Sequence, residues 1–337
     1  MTTSNTPLRI GILGAAKIAR AFIAGVAPSQ LVKVAGVASR EASKAEAFAN
    51  EYAIPKHYGS YDAMLADPSI DAVYNPLPNS LHAEWSIHAV QAGKHVLCEK
   101  PLAVSGQEAR AMFDAAKRKG VHLVEAYPYL AQAQTQKARE LVKSGALGRL
   151  QLIRASFGVQ FTDMTNIRLK PDLAGGSLMD AGSYPVSLVR AISGERPSRV
   201  HAVARWTQTG IPKTFAATLE FESGLIAQIT SSFATGYHRH AQIAGDAGTM
   251  ELTYLNHPPI GGPPSVTLRR GIMVTHEVET IDVPGGNGFQ LEAESFARLV
   301  KQGPSQWTGA TPEESIDIAL TLEALLKSAR DKTTVAL

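Results

Sequence analysis

The first 125 residues alternate between short apolar runs and helix-like segments. The strand-like runs are Leu8–Leu13, Val32–Ala38, Ala72–Asn75, His95–Glu99 and Val121–Glu125. Between them lie segments with helical patterning, such as 15–26 and the Ala/Lys/Glu-rich stretch 41–52. Nearly continuous apolar strands that alternate with helices are typical of a parallel sheet covered on both faces. The pattern predicts an α/β domain with a doubly wound (Rossmann) sheet over residues 1–126.

After Glu125 the pattern changes to longer strand-like runs joined by Gly- and Pro-rich turns. These runs are 150–161, 200–209, 215–221, 225–232, 240–244, 249–254 and 273–281. Helices are predicted at 131–144, 178–192, 290–301 and 312–330. Long strands with short connections favour antiparallel pairing. Residues 127–337 are therefore expected to form an α+β domain that binds substrate, with an open, mainly antiparallel sheet and helices on one side.

The open sheet has a second face that something must cover. A second copy of the chain is the simplest cover, because symmetric homo-oligomers bury such surfaces against each other. A homodimer or homotetramer through the C-terminal sheet is expected.

Composition excludes several classes of protein. The 337 residues suit two domains. The net charge is +3 without a Lys/Arg-dense run, so nucleic acid is not an expected partner. Cys98 is the single cysteine, which excludes a disulfide framework. Residues 1–7 do not resemble a signal peptide, and no apolar stretch approaches the ~20 residues that span a bilayer. A soluble cytoplasmic protein that acts on a small molecule is expected.

A glycine turn follows the first predicted strand. Read as G-x-G-x-x-[GA], its positions are Gly14, Ala16 and Ala19. Gly14 allows the tight turn, and a pyrophosphate would lie at the N-terminus of the next helix. Ala16 departs from the motif by adding a methyl group where the backbone approaches the phosphates. The alternative is a tight turn in an α/β protein that binds something else.

The end of the second strand decides between cofactors. An NAD site usually has Asp or Glu there for the ribose hydroxyls. This chain has Ser39 and Arg40, with Lys44 one helical turn later. A serine hydroxyl and a guanidinium can bind a 2′-phosphate, so the sequence favours NADP over NAD. Glu41 follows immediately, and the alternative is that Arg40 is a solvated arginine at a helix start.

Two further motifs carry candidate chemistry. The fifth strand ends in Glu99-Lys100-Pro101, at the carboxyl edge of a parallel sheet where ligands bind. The second domain contains a Gly-Gly-Ser-Leu-Met-Asp-Ala-Gly-Ser-Tyr-Pro stretch at 175–185. Its Asp180 and Tyr184 are four residues apart and share one face of a helix. Taken singly, Lys100 could be a loop lysine and Tyr184 a packed aromatic.

With these motifs in place, the sequence resembles the glucose–fructose oxidoreductase/inositol dehydrogenase (Gfo/Idh/MocA) family, from residue 8 to the last helix. Because the 175–184 stretch ends in a tyrosine, the sequence most resembles the branch of the family that includes dihydrodiol dehydrogenase and NADP-dependent xylose dehydrogenase. The stretches 77–82 and 166–169 also look like that branch.

The resemblance implies a catalytic trio of Lys100, Tyr184 and Asp180. Tyr184 would be the general acid/base that exchanges a proton with the substrate oxygen. A free tyrosine has a pKa of about 10, so Lys100 would stabilise the tyrosinate. Asp180 would position the substrate or the lysine, and the nicotinamide would exchange the hydride. The resemblance also implies a cis Lys100–Pro101 bond.

The resemblance further implies a set of cofactor contacts. They are Gly14, Ala15, Ala16, Lys17, Ile18, Ser39, Arg40, Lys44, Leu77, Pro78, Asn79, His82, Glu99, Lys100 and Arg168. His82 could instead be an ordinary helix residue, and Asn79 a helix cap. The remaining histidines lack metal-ligand spacing, so no metal is expected.

Departures from the family pattern lie near the expected substrate pocket. Leu130, Gln132 and Ala133 stand where Arg, His and Pro are usual, and Phe289 stands where a cofactor-contacting Tyr is common. Aromatic residues that could line the pocket, or pack in the core, are Tyr129, Phe157 and Phe161.

The leading interpretation is an NADP-dependent dehydrogenase or reductase that acts on a sugar, polyol or cyclic diol. One alternative is a glycoside hydrolase that uses tightly held NAD for transient oxidation. Another is a non-catalytic, dinucleotide-sensing regulator on the same fold. An intact Lys100 and Tyr184 argue against the regulator.

Overall fold

The computed structural model describes residues 6–163, 166–257, 264–273 and 277–337. Contacts within the chain divide it into two compact units. The first comprises residues 1–103, 107–131 and 287–312, and the second comprises 104–106, 132–286 and 313–337. The sequence predicts a single domain boundary after residue 126. In the structure, residues 287–312 pack with the first unit, although the prediction includes them in the second domain.

The helices are α1 (Lys17–Val26), α2 (Ala42–Glu51), α3 (Tyr61–Leu65), α4 (His82–Gln91), α5 (Gly106–Lys119), α6 (Ala133–Lys143), α7 (Ser183–Ser193), α8 (Gly288–Gln302) and α9 (Pro312–Asp331). The first unit holds the strands β1 (Leu8–Leu13), β2 (Val32–Ala38), β3 (His57–Tyr58), β4 (Ala72–Asn75), β5 (His95–Glu99) and β6 (Leu123–Ala126). The second holds β7 (Leu150–Gln160), β8 (Arg199–Trp206), β9 (Pro212–Glu220), β10 (Ile226–Ser232), β11 (Ala234–Gly245), β12 (Gly248–Leu252), β13 (Ser265–Arg270), β14 (Glu277–Asp282) and β15 (Val335–Ala336). Among the described residues, no helix has both the length and the apolar character needed to cross a membrane.

The first unit is built on a parallel sheet in the order β3-β2-β1-β4-β5-β6. The chain leaves β3 at one edge and returns beside β1, so the strand order reverses between β1 and β4. Ligands of open α/β sheets bind at the carboxyl ends of the strands at such a reversal. The predicted doubly wound sheet is confirmed.

α8 packs against α1 on one side of this sheet. The ring of Phe22 stacks on that of Tyr74 with centroids 4.0 Å apart, and it meets Phe289 edge-on at 6.1 Å. A side chain at Gly25 would place its Cβ 2.8 Å from the Cβ of Phe289. Glycine at position 25 therefore lets the two helices approach, and Phe289 is a core residue of the first unit.

The second unit contains one sheet in the order β14-β13-β12-β11-β7-β10-β9-β8-β15. Its pairings are antiparallel apart from β10 with β7. α7 contacts β7 and β10. Alternate residues are buried and exposed along β8 and β10, which leaves one face of these strands open. The predicted open, mainly antiparallel sheet is confirmed.

The main differences between predicted and observed elements lie in the second unit. The helix predicted at 178–192 consists of a π-helical turn, Leu178–Gly182, followed by α7. The strand predicted at 273–281 is β14, and residues 274–276 lie outside the described residues. β13 was not predicted, because it directly follows a Pro- and Gly-rich segment that indicates a turn.

Candidate active site

The β1–α1 turn has the geometry of a phosphate-binding turn. Gly14 has φ of +90° and donates its N–H to the carbonyl of Ala38 at 2.8 Å. Few side chains tolerate that φ, so glycine is required there. Ala16 stands at the N-cap of α1 in an extended conformation, and no side chain caps α1 or places an acidic group in its first turn. The amides of Lys17 and Ile18 start this helix, where an anion would be stabilised.

The end of β2 carries Ser39 and Arg40, as the sequence indicates. Ser39 is buried and its Oγ accepts the N–H of Glu41 at 3.3 Å, while Arg40 is exposed. The Lys44 Nζ lies 2.7 Å from the Glu41 Oε1, so Lys44 forms an ion pair with the carboxylate that follows Arg40. The expected site for a 2′-phosphate therefore depends on Ser39 and Arg40, because Lys44 is paired with Glu41.

Tyr61 belongs to this group and was missed by the sequence reasoning. Its hydroxyl lies 3.6 Å from the position that a Cβ on Gly14 would take. Burial raises the pKa of Tyr61, and the nearby charge of Arg40 opposes that rise. No motif marks this tyrosine, because α3 enters the site through the fold and not through a fixed spacing.

His82 links the loop after β4 to the residues after β5. One ring nitrogen lies 2.7 Å from the carbonyl of Leu77 and the other 2.8 Å from that of Pro101. Asn75 fixes the same loop by accepting the N–H of Leu77 and donating to the carbonyl of His82. The Lys100–Pro101 bond is cis, as the resemblance implies. The loop 77–82, with Pro78 and Asn79, thus lies beside Lys100.

Burial lowers the pKa of His82 to about 4, and the charge of Lys100 acts in the same direction. The ring is therefore neutral near pH 7. A neutral imidazole donates one hydrogen bond, so it can satisfy only one of the two carbonyls at a time.

Three buried glutamates lie behind the carboxyl edge of β5. Glu99 accepts the hydroxyl of Tyr74 at 2.6 Å, and Glu125 accepts the N–H of Leu102 at 2.8 Å. Neither carboxylate oxygen of Glu292 has a hydrogen-bond partner among the described residues. Burial, with the charges of Glu99 and Glu125, raises the pKa of Glu292 well above its usual range.

The sequence reasoning also missed Glu125 and Glu292. The signal for Glu292 was available, because it shares a helical stripe with Phe289, Ala293 and Phe296, and a charged group on an apolar stripe is unusual.

In the second unit, Arg168 and Asp180 form an ion pair. The Arg168 Nε lies 2.8 Å from the Asp180 Oδ2, and the guanidinium lies 5.5 Å from the ring centroid of Phe161. Asn166 orients the start of this segment by accepting the N–H of Arg168 at 3.0 Å. The structure thus brings together a predicted cofactor contact and a predicted catalytic residue.

Tyr184 lies on the first turn of α7, directly after the π-helical turn that carries Asp180. Its hydroxyl oxygen accepts an N–H of Asn256 at 3.0 Å, and the guanidinium of Arg239 lies 4.0 Å from its ring centroid. Phe157 meets the same ring edge-on at 5.4 Å. The sequence reasoning missed Asn256 and Arg239. Arg239 could have been found, since it stands in phase with the buried residues of β11.

The predicted substrate residues differ in exposure. Phe157 and Phe161 are partly exposed, whereas Tyr129 has no exposed surface. Tyr129 meets the ring of Tyr127 edge-on at 6.1 Å, which favours a packing role for Tyr129. Within the described ranges, no three His, Cys, Asp or Glu side chains are grouped as metal ligands.

Two family models match the chain. One is described as an oxidoreductase family with an NAD-binding Rossmann fold and matches residues 8–127. The other is the GFO/IDH/MocA C-terminal domain and matches residues 135–251. The chain belongs to the Gfo/Idh/MocA oxidoreductase family. Its fold and its enzyme class as an oxidoreductase follow from this membership, and both predictions are confirmed.

Several members of the family are similar over nearly their whole length. A D-xylose 1-dehydrogenase (NADP(+)) of Haloferax volcanii is 38% identical, across 98% of this chain and 100% of the relative. A trans-1,2-dihydrobenzene-1,2-diol dehydrogenase of Danio rerio is 31% identical, across 88% and 89%. The crystal structure of KijD10, a 3-ketoreductase from Actinomadura kijaniata, in complex with NADP and TDP-benzene, superposes with a TM-score of 0.85 at 29% identity, covering 96% and 98% of the two chains.

Proposed function

We propose that this Gfo/Idh/MocA protein is an NADP-dependent oxidoreductase that interconverts a hydroxyl and a carbonyl on a sugar, polyol or cyclic diol. The observation that carries the proposal is the His82 ring, which joins the loop after β4 to the cis Lys100–Pro101 segment after β5. Lys100 therefore stands at the carboxyl edge of the parallel sheet, the same edge at which the β1–α1 turn lies.

The residues at this edge fit a dinucleotide. Gly14 supplies the tight turn, α1 presents its first amides without a side-chain cap, and the tip of β2 carries a serine and an arginine without an acidic residue between them and the strand. Ser39 and Arg40 would hold the 2′-phosphate. The names of the Haloferax and Actinomadura relatives, both of which mention NADP, support the same cofactor.

When bound, NADP supplies the hydride acceptor or donor for the substrate carbon. In carbonyl reduction, Tyr184 would give its hydroxyl proton to the substrate oxygen, and in oxidation it would take that proton back. Lys100 would place a positive charge at the substrate oxygen. A positioned acid/base group of this kind contributes about 10²- to 10⁴-fold to the rate.

The Arg168–Asp180 ion pair supports a second role for Asp180, beside the positioning of the substrate or of Lys100 that the resemblance implies. The Arg168 Nε lies 2.8 Å from the Asp180 Oδ2, and a charge-assisted hydrogen bond of this length holds both side chains in one geometry. We propose that Asp180 fixes Arg168 toward the cofactor, and that the pair orients the residues that precede Tyr184.

The names of the relatives support the proposed substrate class. Their names specify a pentose, a cyclic dihydrodiol and a nucleotide-linked sugar ketone, which share a ring carbon that bears a hydroxyl or carbonyl. Phe157 and Phe161 would contact the apolar face of such a ring. Tyr129 would support the pocket by packing.

The homo-oligomer proposed from the sequence is supported by the open face of the second sheet. Val203 on β8 is 61% exposed and Ile226 on β10 is 44% exposed, and the two strands lie on either side of β9 in that sheet. Apolar side chains on an otherwise paired sheet are typical of a surface that a second subunit covers.

The cofactor assignment is tested by steady-state assays of NADP⁺ and NAD⁺ reduction with aldoses including D-xylose, polyols and trans-dihydrodiols. Arg40→Ala is expected to raise the KM for NADP⁺ about 10- to 100-fold, because a hydrogen bond to a charged group is worth about 1.5–3 kcal/mol. The KM for NAD⁺ should change little.

Arg118→Ala is the matched control, since Arg118 is exposed in the last turn of α5, which precedes the amino end of β6. It should change neither KM. Equal effects of Arg40→Ala on both cofactors would contradict the 2′-phosphate assignment, and no turnover with any of these compounds would contradict the proposed activity.

A further inference from the structure

Arg239 is buried in the second unit although it carries a full charge. It is 6% exposed, on an inward-facing position of β11 in phase with Ala241 and Ile243. The preceding residues of the strand, 234–238, are exposed. Removing a guanidinium from water is costly unless its neighbours compensate, so the packing of the sheet alone does not account for an arginine here.

Three aromatic rings surround the Arg239 guanidinium. Its Cζ lies 4.0 Å from the ring centroid of Tyr184, 4.7 Å from that of Tyr254 and 5.0 Å from that of Phe157. The faces of aromatic rings attract cations, and a planar guanidinium stacks on them well. Its charge also contributes to the lowered pKa of His257, for which burial is the first cause. The shortest of the three distances is to the tyrosine proposed as the acid/base.

A single amide connects Arg239 to the hydroxyl of Tyr184. An Arg239 Nη1 donates to the Oδ1 of Asn256 at 3.3 Å, and the Nδ2 of Asn256 donates to the Tyr184 hydroxyl oxygen at 3.0 Å. A guanidinium has donors only, so it must face the Oδ1 and not the amide nitrogen. Arg239 therefore determines which way the Asn256 amide points, and the N–H groups are left to face Tyr184.

This orientation fixes the role of the Tyr184 hydroxyl in its hydrogen bond. The hydroxyl oxygen accepts from Asn256, and an amide N–H cannot accept the hydroxyl's hydrogen in return. The hydrogen of Tyr184 is consequently directed to a different acceptor. Because its oxygen already accepts a hydrogen bond from Asn256, a tyrosine held in this way is oriented to donate its hydroxyl hydrogen.

The segment that carries Asn256 is itself fixed. The side-chain amide of Gln132 donates to the carbonyls of Asn256 at 2.6 Å and Gly286 at 2.7 Å. The hydroxyl of Tyr254 donates to the carbonyl of Ser156 at 2.7 Å. Tyr254 also has φ of +38°, a conformation that side chains other than glycine rarely adopt. These contacts hold the asparagine in place from both sides.

We propose that Arg239 and Asn256 are positioning residues for Tyr184, directing its hydroxyl hydrogen toward the substrate oxygen and stabilising the charge that the ring acquires. The inference rests on the proposed function, in which Tyr184 exchanges the proton.

The proton moves between the Tyr184 hydroxyl and the substrate oxygen. In carbonyl reduction the O–H bond of Tyr184 would break and an O–H bond would form on the substrate oxygen, while bound NADPH would supply the hydride that the substrate carbon takes up. The electron pair of the broken bond stays on the Tyr184 oxygen. That oxygen faces an Asn256 N–H, and the ring faces the Arg239 cation. Oxidation of the alcohol is the reverse.

Two substitutions of Asn256 separate positioning from packing. Asn256→Asp keeps the size and the acceptor for Arg239, but its carboxylate can only accept, so it would take the Tyr184 hydrogen away from the substrate. Asn256→Ala removes the contact without adding a competing acceptor. In carbonyl reduction, kcat of Asn256→Asp should be lower than that of Asn256→Ala by about tenfold. A packing role requires the opposite order, because Asp preserves the volume.

Substitutions of Arg239 test the charge. Arg239→Met, which keeps the length without the cation, should lower kcat about 10- to 100-fold with little change in substrate KM, and it should raise the solvent deuterium isotope effect on kcat. Arg239→Lys should recover part of the rate. Arg330→Met is the matched control, because Arg330 also lies over an aromatic ring, that of Trp206 at 5.9 Å, and it should leave kcat unchanged. If Arg239→Met fails to fold in melting experiments, the order of the two Asn256 variants decides.

The outcomes distinguish this inference from the proposed function. If Tyr184→Phe is inactive while Arg239→Met and both Asn256 variants retain wild-type kcat and isotope effect, only the inference is overturned. A raised substrate KM with unchanged kcat in Arg239→Met would overturn it as well, by making Arg239 a substrate-binding group. If Tyr184→Phe is fully active, the proposed function itself fails.

Discussion

Burial raises the pKa of Glu292 well above that of an ordinary glutamate. It is 1% exposed, its two oxygens have no hydrogen-bond partner among the described residues, and Glu99 and Glu125 are close enough to disfavour its charge. Burial of an ionised carboxylate without a partner is strongly unfavourable. The fold of the first unit therefore favours the neutral acid over the carboxylate.

Glu292→Gln is expected to stabilise the protein progressively as pH rises. In the unfolded chain Glu292 ionises near pH 4.3, while its raised pKa in the folded protein moves ionisation to higher pH. The unfolded state then binds fewer protons, so the free energy of unfolding of the wild type falls by about 1.4 kcal/mol per pH unit between the two pKa values. Glutamine cannot ionise in either state and avoids this loss.

Urea unfolding at several pH values between about 5 and 8 measures the effect. This window lies above the reference pKa of glutamate, so Glu292 is ionised in the unfolded chain throughout it. The difference in unfolding free energy between Glu292→Gln and the wild type should grow with pH. Glu46→Gln, at an exposed position of α2, should show no such trend. A constant difference for Glu292→Gln across the range would mean that Glu292 is ionised in the folded state.

Residues with a fixed place in a motif could be predicted from the sequence, and residues that reach the site through the fold could not. Gly14, Arg40 and Lys100 stand at strand ends that the hydrophobic pattern locates. Arg239 and Asn256 reach Tyr184 from a strand and a loop more than fifty residues away along the chain, and the pattern does not specify how β11 lies against α7.

At the scale of elements, the long strands and helices were predictable because each has a clear apolar period. β13 was not, because Pro263 and Pro264 just before it indicate a turn. The π-helical turn before α7 was also missed. Such turns frequently occur at functional sites, and this one carries Asp180.

The open face of the second sheet makes its own prediction. Val203, Ala216, Thr230 and Ser156 are paired in register across β8, β9, β10 and β7, which gives a row of small, uncharged side chains. If this face is a subunit interface, a charge in the row should separate the subunits. Val203→Glu is expected to lower the molar mass measured by light scattering after size-exclusion chromatography from that of a dimer or tetramer to that of a monomer.

Ile272→Glu is the control for this experiment, because Ile272 is 80% exposed in the turn after β13 and outside the row. It should leave the molar mass unchanged. A wild-type protein that is already monomeric, or a Val203→Glu variant with the wild-type mass, would contradict an interface on this face.

At the scale of the whole molecule, the order of elements predicted the two sheets, but it did not predict which unit α8 joins. Residues 287–312 follow the second sheet in sequence and pack with the first unit. The contact depends on Gly25, which admits Phe289, and on an aromatic stack that local periodicity does not encode. Glu292 lies on the same helix, behind β5. The unpredicted packing of α8 with the first unit therefore accounts for the positions of both Phe289 and Glu292.

The central claim, that this chain transfers a hydride between a substrate carbon and NADP, is tested most directly by isotope transfer. A substrate that the activity screen identifies is deuterated at the carbon that bears the reacting hydroxyl and is incubated with NADP⁺. Mass spectrometry then counts the deuterium in the cofactor. One deuterium per NADPH is predicted for the wild type, and Tyr184→Phe should slow its appearance about 10²- to 10⁴-fold. Unlabelled NADPH, bond hydrolysis without net cofactor reduction, or full transfer by Tyr184→Phe would contradict the account.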